Sequence, residues 1–162
     1  IALYPSLTVR ENLSYFGRLH GMTSALLKER IDECLTMVSL QDYADKHVAT
    51  FSGGMKRRAN LAAGVLHHPR LLFLDEPTVG IDAQSRNVIL ENLRHLKKLG
   101  MTMVYTTHYM EEAHQLCSRV AIVDRGHVVA QGTSQSLIEG AKGCSNLEEL
   151  FLHLTGRQLR DR

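Results

Sequence analysis

Apolar residues recur at helical spacing through the first third of the chain. Thr8 can cap a helix that runs towards His20, because Glu11 stands at the third helical position, as a capping box requires. A second helix is predicted next, and one face of it carries these apolar residues: Leu27, Ile31, Leu35 and Val38. A third helix is predicted over residues 55–66. This part of the chain is therefore expected to be all helical.

The pattern changes in the middle of the chain. Residues 71–74 form a short, wholly apolar run, which is typical of a strand buried on both faces of a parallel sheet. An amphipathic helix is predicted over residues 84–99, and a second strand over residues 101–106. Strand, helix and strand in this order predict a βαβ unit with parallel strands and a right-handed crossover.

In the last third of the chain, the sequence pattern predicts a helix over residues 109–117 and then a hairpin. Its strands, 120–123 and 128–130, are joined by the turn residues 124–127. A change of composition near residues 140–146 precedes a short terminal helix.

Composition narrows the class of protein. The chain has 162 residues, of which 44% are apolar, so one domain with a real core is expected. The chain has nineteen Lys and Arg and seventeen Asp and Glu, and this near balance of charge gives no support for a nucleic-acid partner.

No apolar run approaches the roughly 18–20 residues that cross a bilayer. The chain has an odd number of cysteines, and all three lie in apolar stretches: Cys34, Cys117 and Cys144. This favours buried thiols in a reduced, cytoplasmic protein.

Polar residues follow both predicted central strands. Asp75 and Glu76 end the first, and His108 follows the second. Ligands of open α/β sheets bind beyond the carboxyl ends of the strands, so these side chains are expected to converge. An acid there suits Mg²⁺ and a nucleotide, a second acid can activate water, and an imidazole can hold a phosphoryl group. The alternative is that the two acids only cap the following turn.

A second candidate site lies at the start of the third helix. Ser52, Gly53 and Gly54 combine a close-approaching backbone with the partial positive charge of a helix N-terminus, which suits phosphate. Taken alone, these residues equally fit a loop or an N-cap. The basic residues 56–58 that follow are interpreted as a solvated face that also favours phosphate nearby.

Four segments together resemble the motifs of ATP-binding-cassette (ABC) transporters. Residues 51–58 resemble the signature motif, 71–78 the Walker B motif with its catalytic Glu, and 79–82 the D-loop, while His108 resembles the switch histidine. They lie in the family's order and spacing, and the resemblance covers essentially the whole chain. It implies an α/β fold of the P-loop NTPase (RecA-like) type, with a parallel sheet flanked by helices and an N-terminal α-helical subdomain.

The resemblance also implies three parts and an incomplete cassette. Residues 1–68 would be the helical subdomain ending in the signature helix, 69–140 the RecA-like catalytic half, and 141–162 a C-terminal helical extension. The sequence contains no Gly-x-x-x-x-Gly-Lys-[Ser/Thr] loop (Walker A), and the Q-loop glutamine would lie just before Ile1. We therefore expect an N-terminally truncated chain that does not hydrolyse ATP alone.

Residue roles follow from the same resemblance. Asp75 would coordinate Mg²⁺, Glu76 would be the general base, and His108 would contact the γ-phosphate. The residues that would contact ATP or the second subunit are Ser52, Gly53, Gly54, Met55 and Asp82. Met55 replaces the family's usual Gln, which should alter contacts on the ribose side of ATP.

The cofactors implied are ATP and Mg²⁺, and the partners are transmembrane permease subunits and a second ATP-binding subunit, expected as a homodimer. Phe51 and Met55 in the signature segment, and the ending 147–156, resemble the exporter branch that moves drugs, lipids or polysaccharides. A cytoplasmic protein, peripheral on the inner face of the cell membrane, is expected.

Two other functions stay open at this point. One is a soluble ABC ATPase that acts on nucleic acid or ribosomes, and the other is a catalytically dead, truncated chain that acts only by binding. A metal site at His67 and His68 is not favoured, because adjacent helical residues point in different directions.

Overall fold

A computed structural model of the chain describes residues 1–141 and 143–156. The chain forms two compact units, of which the first is Ile1–Val104 and the second begins at Tyr105. The predicted division into residues 1–68, 69–140 and 141–162 stays a prediction. Within its last part, Lys142 and residues 157–162 lie outside the described residues.

Helices and strands occur close to where the hydrophobic pattern predicts them. Up to the end of the second strand the elements are α1 (Val9–Leu19), α2 (Ser24–Met37), α3 (Gly53–Val65), β1 (Leu71–Asp75), α4 (Ala83–Lys98) and β2 (Thr102–Thr106). The rest are α5 (Met110–Leu116), β3 (Val120–Asp124), β4 (His127–Gly132), α6 (Ser134–Glu139) and α7 (Leu147–Thr155). Short 3-10 turns at Gln41–Tyr43 and Val48–Thr50 connect α2 to α3. The pattern did not predict α6.

The capping box at the start of α1 is confirmed. The hydroxyl of Thr8 accepts the backbone N–H of Glu11 at 3.1 Å, and the Glu11 carboxylate accepts the backbone N–H of Thr8 at 2.8 Å. This second bond holds the pKa of Glu11 below its ordinary value. Both bonds satisfy N–H groups that have no partner within the helix.

The core of the first unit lies among its helices. The side chains most completely removed from solvent there include Leu13, Leu35, Val65, Leu66, Ile89 and Leu93, which come from α1, α2, the end of α3 and α4. Gly17 permits a close approach of α1 and α2, since a Cβ at this position would lie 2.2 Å from Cδ1 of Leu27. Tight packing of this kind makes the helical core intolerant of added atoms.

The central strands differ from the expectation in one respect. β1 and β2 are hydrogen-bonded neighbours, as predicted, and their parallel direction stays a prediction. The expectation that the apolar run is buried on both faces is wrong for this structure: Leu72 is buried, but Leu71 and Phe73 are 44% and 71% exposed. α3 covers only the Leu72 face, where a Cβ at Gly64 would lie 3.6 Å from Cδ1 of Leu72. Side chains alternate between faces along a strand, so their neighbours in sequence point the other way.

In the second unit, the predicted hairpin is confirmed. β3 and β4 pair antiparallel, with Asp124 opposite His127 and a register shift between Ile122 and Val123. Arg125 and Gly126 form the two-residue turn, and both have positive φ, 48° and 80°. Such a turn matches the right-handed twist of the strands. A small core packs beside the hairpin and is formed by Ala113, Ile122, Leu147 and Leu150.

All three cysteines are free thiols, with Cys34 buried and Cys117 and Cys144 half-buried. Burial raises the pKa of the Cys34 thiol to about 11. Over the part of the chain that the structure describes, no helix combines the length and the apolar character needed to cross a membrane.

Candidate active site

The signature segment forms the start of α3. Ser52 has extended backbone and is the N-cap, and its hydroxyl accepts the backbone N–H of Met55 at 3.2 Å. Ser52 and Gly53 are exposed, and a Cβ added at Gly53 would meet no atom within 4 Å. N–H groups in the first turn of a helix have no partner within the helix, so this exposed end suits an anion.

Gly54 brings this helix start directly against the start of α4. A Cβ added at Gly54 would lie 2.2 Å from Oγ of Ser85 and 2.6 Å from Oδ2 of Asp82. No side chain fits at such distances, so glycine is required for this packing. The structure therefore brings together, within the first unit, the predicted site residues of the signature segment and Asp82. Ser85 was missed by sequence analysis, since nothing local marks it.

Asp82 is the N-cap of α4. Its Oδ1 accepts the backbone N–H of Ser85 at 2.8 Å. This bond and the Ser85 hydroxyl hold the pKa of Asp82 below its ordinary value, and the charge of Arg58 adds to the effect. Asp82 is exposed, and it is ionised over the physiological range.

Asp75 is the last residue of β1, and Glu76 follows it; both are exposed. Glu76 adopts a left-handed backbone, with φ of 43°, which costs a residue with a side chain about 1 kcal/mol. Its carbonyl oxygen accepts a hydrogen bond from Nη2 of Arg57 at 3.2 Å. The signature helix is thus bonded to the backbone of the residue expected to be the general base.

The basic residues after the signature segment do more than form a solvated face, so that interpretation is wrong for two of them. Besides the bond from Arg57 to Glu76, Nη1 of Arg58 donates to the carbonyl oxygens of Val38 and Ser39 at 2.8 and 3.2 Å. These carbonyls end α2, where Ser39 has φ of 54°. Guanidinium groups present several donors in a fixed plane, which suits such backbone anchoring.

His108 lies in the second unit, in the loop after β2. Its ring is 4.3 Å from the ring of Tyr109, at an interplanar angle of 40°. Thr107 Oγ1 accepts the backbone N–H of Tyr109 at 2.9 Å and donates to Glu112 Oε2 at 3.1 Å. The convergence of His108 with Asp75 and Glu76 stays a prediction.

One of the two histidines that were not favoured as metal ligands, His67, stacks on a histidine of another helix. His67 is half-buried, and its ring stacks on His20 with centroids 3.6 Å apart and planes 5° apart. Burial lowers the pKa of His67, and the neighbouring His20 and His68 lower it further. The stack of His67 on His20 was not predictable from the sequence, because it joins the ends of two different helices.

Metal binding by protein side chains alone has no support in the described residues, where no group of three or more His, Cys, Asp or Glu is placed to hold an ion. Mg²⁺ has a different requirement, because it keeps several waters and uses one or two carboxylates together with substrate phosphates. A single exposed carboxylate at the end of a strand, as at Asp75, fits that donor set.

Comparison with known proteins gives a consistent result. The sequence model of the family described as ABC transporter matches residues 1–79. The chain is 48% identical over 159 residues to the linearmycin resistance ATP-binding protein LnrL of Bacillus subtilis (strain 168), covering 94% of this chain and 51% of that protein. It is 45% identical over 141 residues to the Nod factor export ATP-binding protein I of Rhizobium sp. (strain N33), covering 87% and 46% respectively. The chain thus spans about half the length of these curated relatives.

A solved structure of the ATP-binding subunit of an ABC transporter matches the fold. The TM-score is 0.82 at 29% identity, with 94% of this chain and 64% of that chain covered. This likeness confirms the predicted α/β, P-loop NTPase-like fold class. The chain therefore belongs to the ABC transporter family, whose ATP-binding domain it matches.

Proposed function

We propose that this chain acts in the ATP-binding subunit of an exporter, where binding and hydrolysis of ATP with Mg²⁺ drive transport across a membrane. One observation carries the proposal: the start of α3 and the start of α4 meet at Gly54, so that the exposed N-terminus at Ser52 and the capping Asp82 share one surface. The relatives named for linearmycin resistance and Nod factor export support the exporter branch. Because the chain spans about half of their length, the activity is proposed for the complete subunit.

The proposed hydrolysis needs one base and one group that holds the phosphate. The carboxylate of Glu76 takes a proton from a water molecule, and the water oxygen forms a bond to the γ-phosphorus. The bond from that phosphorus to the β–γ bridging oxygen breaks, which gives ADP and inorganic phosphate. His108 donates a hydrogen bond to a γ-phosphate oxygen and stabilises the charge there. Asp75 would hold Mg²⁺ through water, and the bound ion would supply neutralisation of the phosphate charge.

The signature segment contacts a second ATP molecule. The hydroxyl of Ser52 and the N–H groups of Gly53 and Gly54 bind the γ-phosphate of ATP held by the opposite subunit. Met55 lies on the ribose side of that nucleotide, and Asp82 contributes to the contact between the subunits. Two such subunits related by a two-fold axis would enclose two ATP molecules between them.

The proposed partners are transmembrane permease subunits and a second ATP-binding subunit, with a homodimer as the expected form. No nucleic-acid partner is proposed, since the charge of the chain is nearly balanced, at +2. The proposed location is cytoplasmic, peripheral on the inner face of the cell membrane. The permease subunits would carry the choice of transported molecule.

The test compares two isosteric changes in the complete subunit assembled with its membrane partners. Glu76→Gln removes the base, and we expect ATP turnover to fall by about 100-fold or more while Mg-ATP still binds. Glu91→Gln, at an exposed position on α4, is the matched control, and its turnover should stay within about two-fold of the unchanged protein.

Equal turnover of the Glu76→Gln and Glu91→Gln proteins would reject the role of Glu76. Loss of Mg-ATP binding in Glu76→Gln would assign the carboxylate to binding instead of catalysis. Stimulation of turnover by RNA or DNA, and none by the permease subunits, would replace the transport proposal with a soluble nucleic-acid function.

A further inference from the structure

Glu112 is a buried carboxylate that the proposed hydrolysis does not use. It lies in the first turn of α5, within the second unit, and only 6% of it is exposed. Glutamate is rarely buried to this extent unless its oxygens are bonded, because an ionised carboxylate loses its hydration on burial. The partners of Glu112 therefore indicate why it is there.

Two of its partners are hydroxyl groups on the residues that flank Thr106. Oε2 of Glu112 accepts the Tyr105 hydroxyl at 2.6 Å and the Thr107 hydroxyl at 3.1 Å. Tyr105 belongs to β2, and Thr107 begins the loop that follows it. Hydroxyl bonds to a carboxylate are short and stronger than bonds between neutral groups. The end of β2 is thus bonded to α5 through Oε2 of Glu112.

The bonding continues to the other side of His108. The oxygen of Thr107 that donates its proton to Glu112 also accepts the backbone N–H of Tyr109 at 2.9 Å. The Thr107 hydroxyl therefore donates to Oε2 of Glu112 and presents a lone pair to the Tyr109 N–H. His108 stands between the two bonded residues, and its ring lies 4.3 Å from that of Tyr109. The backbone on both sides of the imidazole is therefore fixed through Glu112.

We propose that Glu112 is the positioning residue for His108: its carboxylate holds the loop from Thr107 to Tyr109 so that the imidazole keeps one orientation towards the γ-phosphate. The inference rests on the proposed role of His108 in hydrolysis. Glu112 acts on His108 through its bond to Thr107, and no contact of Glu112 with the nucleotide is part of the proposal. A displacement of about 1 Å in a group that contacts the reacting phosphate lowers turnover by about 100-fold.

The chain offers a matched control for the test. Glu111 is the preceding residue on the same helix, is exposed, and bonds to Gln115 at 3.0 Å, away from the loop. In the complete subunit with its membrane partners, we expect Glu112→Met, which removes the acceptor, to lower kcat by about 10- to 100-fold with little change of KM for ATP. Glu111→Met should leave both constants within about two-fold.

A double-variant cycle separates positioning from a general structural role. When His108→Ala is already present, Glu112→Met should lower kcat by less than about two-fold, because the group that Glu112 positions is gone. The same loss in both backgrounds would overturn the inference.

Hydrogen exchange supplies a readout that does not depend on turnover. The Tyr109 amide should exchange faster in Glu112→Met and at the unchanged rate in Glu111→Met. An unchanged rate in Glu112→Met would overturn the inference even in a subunit that hydrolyses ATP. Full turnover of His108→Ala would instead reject the proposed role of His108, and the inference with it.

Discussion

Gly54 lies against the hydroxyl group of Ser85, so close that a Cβ at Gly54 would stand 2.2 Å from Oγ of Ser85. The start of the signature helix and the start of α4 are therefore in direct contact, and Ser85 is itself buried. A glycine that could be explained by phosphate binding alone thus has a packing role in the same chain. A substitution here should change the fold's stability before any nucleotide is added.

The two neighbouring glycines make this role measurable. Gly54→Ala should lower the free energy of unfolding by about 1–3 kcal/mol, because the added methyl group overlaps Ser85. Gly53→Ala, where nothing lies within 4 Å of the new Cβ, should leave stability unchanged or raise it by up to about 1 kcal/mol. Urea unfolding of the two variants without nucleotide checks this, and equal destabilisation by both would contradict the packing role.

Arg57 should affect turnover more than ATP affinity. Its guanidinium group bonds the Glu76 carbonyl oxygen, so Arg57→Met releases the backbone of the proposed base. We expect kcat to fall by about 3- to 10-fold, with the Kd for Mg-ATP unchanged. Arg18→Met, which removes a charge from an exposed position in α1, is the control. A change in Kd without a change in kcat would show that Arg57 contacts the nucleotide instead.

Acid should weaken the N-cap of α4. The bonds from Ser85 hold the pKa of Asp82 below its ordinary value, so the folded state binds the proton less readily than the unfolded state. The cap's contribution is complete above about pH 4, the ordinary range of aspartate, and is lost as the pH falls through the folded-state pKa. Asp82→Asn keeps an acceptor but does not titrate, so its melting temperature should depend less on pH. A pH dependence equal to that of the unchanged protein would contradict this.

His67 should give a second pH dependence, nearer neutrality. Its folded-state pKa is lowered by burial and by His20 and His68, so the unfolded state takes up the proton first. Stability is complete above the ordinary histidine pKa of about 6.5 and falls as the pH is lowered through that value towards the folded-state pKa. In His67→Gln, the difference between the unfolding free energies measured at about pH 7.5 and about pH 5.5 should be smaller than in the unchanged protein. An equal difference between the two pH values in His67→Gln and in the unchanged protein would contradict this origin.

The cysteines should differ in reactivity. The thiolate is the reactive form, and a pKa of about 11 leaves almost none of it at Cys34 near neutral pH. Alkylation followed by mass spectrometry should therefore modify Cys117 and Cys144, which are half-buried, well before Cys34. Labelling of Cys34 at the same rate as the other two under native conditions would show that its site opens.

Local chemistry made much of the fold predictable. The capping box of Thr8 and Glu11 and the turn at Arg125 and Gly126 involve residues close in sequence, whose types limit the backbone directly. The adjacency of β1 and β2 followed from the βαβ pattern, and the fold class from the resemblance. For the capping box and the turn, residues within one short segment carry the information.

Contacts between distant segments were not predictable in this way. The approach of Gly54 to Ser85 depends on how two helices cross, and the stack of His20 on His67 depends on where two helices end. Glu112 looks like one of two solvated acids at a helix start, and only the tertiary structure places it inside. The exposure of Phe73 was not predictable either, because an apolar run does not show which of its faces a helix will cover.

The left-handed backbone of Glu76 has a consequence for how this sequence can evolve. Glycine tolerates that conformation without strain, so Glu76→Gly should stabilise the protein by about 1 kcal/mol and would be favoured by selection for stability alone. Such a change would remove the carboxylate on which the proposed chemistry depends. Activity and stability therefore make opposite demands on this one position, and a search for more stable variants of the subunit is expected to yield inactive ones there.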